Sequence, residues 1–172
     1  MTNSFISPAR YAHSNHLHAV CPYSFYVEPL RTTWFAKLGT NEGVLVPGMS
    51  CGTVSQGQLG TAQGQWFLIQ DPAAGPVDVL TYDGTYMSQG VISIEADGTV
   101  RIGGFWSATY VIVPRTDPTW ADPTTVTSAH CWADQTRSVT VQLDSPTVMR
   151  VYVASGACPA SVPTDGWKTY YR

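Results

Sequence analysis

Short runs of alternating apolar residues, separated at intervals of about 8–12 residues by glycine, proline or aspartate, constrain this chain more than any other feature. The clearest pair is 90–95 (Gly-Val-Ile-Ser-Ile-Glu) and 99–102 (Thr-Val-Arg-Ile), joined through Ala96-Asp97-Gly98. Alternation puts every second side chain on one face, and Asp-Gly supplies the positive φ of a tight hairpin turn. Comparable runs predict strands over 44–46, 65–70, 77–82, 105–113, 124–134, 137–143, 147–153 and 167–171. About nine or ten mostly antiparallel strands predict an all-β barrel or closed sandwich, because a sheet of that size curls to remove its edges.

One short helix is predicted over 28–38. Glu28 and Pro29 stand in its first turn, Leu30, Trp34, Phe35 and Leu38 recur at helical spacing, and Gly39 occupies the C-terminal cap position. Its apolar stripe should lie against the sheet. Residues 1–20 show no apolar period and should form an irregular arm, leaving 21–172 as a single barrel-like domain. The proline-bounded stretch 114–123 should be an exposed loop and the least constrained part of that domain.

Charged residues make up 12% of the 172 and the formal net charge is −3, which removes nucleic acid and anionic membranes as partners. No apolar run reaches the roughly 18 residues of a membrane span, so membrane insertion is not expected. The first residues, Met1-Thr2-Asn3-Ser4-Phe5-Ile6, lack the basic and apolar regions of a signal peptide. Four cysteines, Cys21, Cys51, Cys131 and Cys158, lie far apart with no C-x-x-C pair. Two disulfides in a secreted or envelope compartment are expected, Cys21 with Cys51 and Cys131 with Cys158, since each closes a local loop. Other connectivities, and four buried thiols, remain open on spacing alone.

The stretch from Cys51 to Phe67 crowds glycines and amides ahead of Trp66 and Phe67. Glycine there suits backbone brought close to other backbone or to a ligand. It has no Gly-Lys-Ser/Thr ending, so it is no phosphate loop. Trp66 and Phe67 point to opposite faces of one strand, which should be buried on both sides.

Three segments together resemble a known family. They are Cys21-Pro22-Tyr23-Ser24-Phe25-Tyr26 with Ala36-Lys37-Leu38-Gly39, then Cys51-Gly52 with Gly60-Thr61-Ala62-Gln63-Gly64-Gln65-Trp66-Phe67, and finally Cys131-Trp132, Val141-Gln142-Leu143 and Trp167-Lys168-Thr169-Tyr170-Tyr171-Arg172. This combination resembles an uncharacterised β-rich domain of bacterial secreted proteins that often follows a metallopeptidase-like domain of the lysostaphin type. The resemblance implies no activity. Between residues 71 and 88 the chain departs from the family pattern, which usually carries a histidine-containing strand there. His16-Leu17-His18 is similar to the His-x-His near the end of such peptidase domains, so 1–20 would be the stub of one.

His13, His16 and His18 are the candidate metal ligands, since their imidazoles could meet one zinc ion; Glu28 or Glu42 would have to supply a base. A merely solvated histidine run is the plainer alternative. His130 and Cys131, adjacent on a strand, face apart and do not make a nucleophile pair. Most of the twelve acids fall in turns, where aspartate belongs for backbone reasons, and Asp78 alone sits in mid-strand.

Six Trp and nine Tyr in a weakly charged β domain match the flat rings and amides of a sugar-binding surface. The candidate ligand-binding residues are Gln63, Gln65, Tyr82, Trp106 and Trp120; Trp66 and Trp132 are candidate core. The expected function is a non-catalytic, secreted or envelope-associated module that binds a carbohydrate or small molecule without a cofactor. The alternatives are a structural or homo-oligomeric subunit whose arm pairs with a neighbour's sheet edge, and a zinc-dependent hydrolase.

Overall fold

The structure is a computed structural model that describes residues 6–7, 10, 21–39, 43, 45–48, 57–68, 88–106 and 110–172. The expected strand over 77–82 lies outside them. Eight antiparallel strands form one nearly closed, barrel-shaped sheet. In chain order they are β1 (Gly64–Phe67), β2 (Gln89–Ile94), β3 (Val100–Gly103), β4 (Val111–Val113), β5 (Ala129–Ala133), β6 (Arg137–Ser145), β7 (Val148–Ser155) and β8 (Lys168–Tyr171). Their order in the sheet is β4-β3-β2-β1-β8-β7-β6-β5, so two four-stranded meanders meet where β1 lies beside β8.

The alternation read from the sequence sets the layers. Trp66, Ile92, Ile102, Val139, Val141 and Val151 point inward and are fully buried, and Trp132, Phe105 and Tyr170 fill the space between them. Phe105 meets Tyr170 edge-on at 4.9 Å, and the Tyr170 hydroxyl donates to the Phe105 carbonyl. Phe105 reaches inward because Gly90 lies beneath it; a Cβ there would collide with the ring. Phe67, on the outer face of β1, is also buried, with the Arg10 guanidinium 4.9 Å over its ring. The expectation of a strand covered on both sides holds for β1.

Among the described residues, backbone pairing between β1 and β8 is the single pair Phe67↔Tyr171. Beyond it, Gly64 bridges Gly57, and the Arg172 side chain takes the place of further strand. Its guanidinium stacks 3.5 Å from the Trp66 ring centroid and donates to the carbonyls of Gln58, Thr61 and Gln63. A planar fork with several donors can satisfy three diverging carbonyls while lying flat on an indole; an ammonium cannot.

On the opposite side β4 and β5 approach without sharing a ladder, and the 114–128 loop closes the gap. Trp120 Nε1 donates to Gly98 O at 2.7 Å, Trp132 Nε1 to Ala121 O at 3.1 Å, Ala133 N to Thr119 Oγ1 at 3.0 Å and Ala62 N to Val126 O at 2.8 Å. Pro114, Arg115, Thr116 and Pro118 are exposed as expected, but these bonds correct the expectation that the loop is weakly constrained. Its partners are distant in sequence, so composition alone could not announce them. Of the expected strand over 105–113, β4 covers Val111–Val113, and residues 107–109 lie outside the described residues. The expected strand over 124–134 shortens to β5, because Asp122 Oδ1 accepts from Thr124 N and Thr124 Oγ1 and turns its start.

The helix, α1, spans only Leu30–Phe35 and buries none of its residues, so it does not pack on the sheet as expected. Trp34 instead stacks parallel to Tyr23 at 5.5 Å, on the 3-10 turn Pro22–Phe25. The Glu28 carboxylate accepts from Thr32 N and Oγ1, tying down the first turn. Gly39 is no cap; it bridges Leu45.

Cys131 and Cys158 form a disulfide with Cα atoms 6.0 Å apart, as expected from spacing. Cys21 is also disulfide-bonded, and Cys51, its expected partner, lies outside the described residues.

Replacing Arg172 by lysine keeps the charge and removes the fork. We expect Arg172→Lys to destabilise the fold by about 2–3 kcal/mol, the scale of lost charge-assisted hydrogen bonds to carbonyls left partly unpaired. Urea unfolding of the two proteins checks this, and a midpoint unchanged from wild type would refute it.

Candidate functional site

The interior of an eight-stranded barrel has room for side chains or one small ligand, and here side chains occupy it. Among the described residues the hollows lie on the outside. The outer face of β1–β3 offers a hollow of about 170 Å³. Pairing of Gln65 with Val91, and of Val91 with Gly103, places these three in one cross-strand row on the face opposite Trp66, Ile92 and Ile102. Gln89 and Gly104 continue the hollow, and Tyr110 walls it.

Two glycines shape this surface. A Cβ on Gly103 would overlap the Tyr110 ring, so glycine lets the ring lie across the strand. Tyr110 stays 59% exposed. The Gln65 Oε1 atom is buried and has no hydrogen-bond partner. A buried acceptor left unpaired costs about 1–3 kcal/mol, which a ligand donor would recover.

Among the described residues, no ionisable side chain other than the Tyr110 phenol lines the hollow. Farther along the same face Arg101 Nε donates to Glu95 Oε1 at 2.6 Å, the two side chains being 16% and 18% exposed. Burial, and then the nearby Asp97 charge, push the Glu95 carboxyl above its usual range. The short ion pair favours its charged form, so the pair presents little net charge to the hollow. The surroundings suit a neutral ligand with hydroxyl or amide donors.

The remaining sequence candidates fall elsewhere. Gln63 sits in the glycine-rich turn, where its carbonyl accepts from Gln58 N and Arg172 and its N–H donates to Pro123 O; it does not line the hollow. Trp106, a candidate ligand-binding residue, is 4% exposed and packs within the core cluster. Trp120 is half-buried and engaged by Gly98 and, over its ring, by Arg115. Trp66 and Trp132 are core, as expected. Tyr82, His13, His16 and His18, like Asp78 and Glu42, lie outside the described residues. Gln89 and Tyr110 were missed. The Gly103-Gly104 pair shortly before Tyr110 was the available signal, since it marks close approach of a ring to backbone.

Among the described residues no group of three or more His, Cys, Asp or Glu could hold a metal. Glu28 is no base near neutrality: the Thr32 hydroxyl first, opposed by burial and joined by Arg31 and the Thr32 N–H, holds its carboxyl below the usual range. Cys131 is locked in its disulfide while His130 Nε2 lies 2.9 Å from Thr119 O on the other face, so no thiol–imidazole pair exists.

A strongly anchored carboxylate, Asp134, stands at the β4–β5 gap. Burial raises the Asp134 pKa, but hydrogen bonds from Thr136 N and Oγ1, Arg137 N and Ile112 N outweigh it and leave the carboxyl below its usual range. Asp134 Oδ1 receives the first three at 2.7, 2.8 and 2.9 Å. Ile112 belongs to β4, so this carboxylate links the two sheet edges.

Comparison of the chain with protein-family models, curated proteins and solved structures gives no match. A depressed folded-state pKa contributes stability that is present above the unfolded value, about 3.9 for aspartate, and is lost as pH falls through the lower folded value. The stability gap between wild type and Asp134→Asn should therefore be widest near neutrality and narrow below about pH 4. Unfolding free energies measured against pH test this; a gap independent of pH would contradict it.

Proposed function

We propose that this chain is a non-catalytic β-barrel module that binds a neutral carbohydrate on its outer face, at the hollow bounded by Gln65, Gln89 and Tyr110. The observation that carries the reading is the buried, unpartnered Gln65 carbonyl oxygen beside an exposed tyrosine ring. A sugar hydroxyl supplies the missing donor, and the ring supplies a flat apolar surface for the C–H face of a pyranose. The described lining, with glutamines, glycines, Val91 and Tyr110 and no charged side chain among them, favours a neutral sugar over a charged ligand.

Action outside the reducing cytoplasm is part of the proposal, and the Cys131–Cys158 disulfide is consistent with it. The resemblance to a β-rich domain of bacterial secreted proteins points the same way. The assembly reading is less favoured: a Cβ on Gly57 would touch Ile6, and Arg10 covers Phe67, so these residues of the arm pack on their own barrel. The β4 edge is also occupied, by Asp134.

Isothermal titration against soluble neutral oligosaccharides tests the proposal. Gln65→Ala and Tyr110→Ala should each weaken binding by about tenfold, the scale of one hydrogen bond or one ring contact, with urea midpoints near wild type. Unchanged affinity in both variants, or no binding by any neutral glycan together with concentration-dependent self-association, would overturn it.

A further inference from the structure

A second hollow lies on the other half of the barrel. The chain leaves β7 at Ser155 and crosses the outer face of β5 and β6 before entering β8. Three ties hold this crossing down. Ser138 Oγ donates to Ala157 O at 3.1 Å, Cys158 is joined to Cys131, and Trp167 Nε1 donates to Pro163 O at 2.8 Å. Trp167 is itself braced by Tyr152 at 5.9 Å and by the Arg150 guanidinium. Between the ties, residues 159–162 arch over a space of about 180 Å³.

Its walls include Ala129, Cys131, Pro159, Ser161 and Val162, with Thr140 at the base. Thr140 points outward, opposite the buried Val139 and Val141, and pairs with Cys131 across the strands. It is 6% exposed, and its hydroxyl oxygen is buried without a hydrogen-bond partner. The natural occupant of an apolar chamber with one unpaired hydroxyl is a group that carries a methyl beside a hydrogen-bonding carbonyl. His130 also borders the space, with its Nε2 2.9 Å from the Thr119 carbonyl.

We propose that this hollow is a binding site for an acetamido group, its methyl against Ala129, Pro159 and Val162 and its carbonyl accepting from the Thr140 hydroxyl. The space equals that of about six waters, enough for the acetamido group and part of what bears it. The site stands independently of the Gln65 hollow. The disulfide fixes the roof over Thr140, so the site requires the oxidised protein.

Isotope-labelled protein titrated with N-acetylglucosamine, N-acetylalanine methylamide and glucose, followed by amide chemical shifts, tests this. Shifts at residues 129, 131, 140, 161 and 162 with an N-acetylated probe, and none there with glucose, are expected. Response to both N-acetylated probes would assign the acetamido group alone as the ligand; response to the sugar alone would assign an N-acetylated sugar. Thr140→Val should weaken binding by about tenfold, the scale of one hydrogen bond, while Gln65→Ala leaves it unchanged. Should Thr140→Val fail to fold, Ala129→Phe, at an exposed strand position, fills the space and should abolish the same shifts. No shift at these amides with either N-acetylated probe would overturn the proposal, as would equal affinity in the substituted protein.

Discussion

The contact on which the barrel depends is the Arg172 guanidinium lying on Trp66 and gathering the carbonyls of Gln58, Thr61 and Gln63. Among the described residues the ladder between the two meanders holds a single register pair, Phe67↔Tyr171. Elsewhere adjacent strands share longer ladders, eight pairs in the case of β6 and β7. Where backbone pairing runs out, a charged side chain replaces it. That substitution is stabilising only because the cation finds both an aromatic face and several carbonyls at once, which compensates its removal from water.

The same joint explains the glycine-rich stretch ahead of β1. Its carbonyls are turned toward Arg172, and Gly60 and Gly64 take the positive φ values of +78° and +124° that allow the turn. The stretch is architecture first. It also sets the direction in which the chain launches Gln65, onto the outer face beside Tyr110. The 114–128 loop completes the barrel from the other side, where Asp134, Thr119, Trp120 and Trp132 close the gap between β4 and β5 with side chains. Among the described residues the interior is filled by side chains, and the two outer hollows each border a buried side-chain oxygen, Gln65 Oε1 or Thr140 Oγ1, that has no hydrogen-bond partner.

Local chemistry made much of the fold legible. Asp97 and Gly98 form the β2–β3 turn as read, with Asp97 Oδ1 accepting from Thr99 N and Gly98 at φ +87°. The burial of both Trp66 and Phe67, and the Cys131–Cys158 pairing, followed from alternation and spacing. What escaped was settled between residues far apart in the chain. Trp120 looked exposed among prolines, yet its indole N–H belongs to Gly98, 22 residues earlier. Trp106 looked available as a ring, yet the barrel closes over it. The α1 stripe looked like a packing face, yet Tyr23 and Tyr26 meet Trp34 within the same local unit. At the site only Gln65 was legible; Tyr110 joined it through the space that Gly103 leaves, a pairing visible only once strand register is known.

The central claim is that one side-chain joint makes two meanders a single cooperative sheet. Native-state hydrogen exchange tests it most directly. If the claim is right, the slowest amides of β2 and β3, at Ile92 and Ile102, exchange with the same opening free energy as those of β6 and β7, at Val141 and Val151. Exchange of the first set through a separate, lower-energy opening while the second stays protected would contradict it.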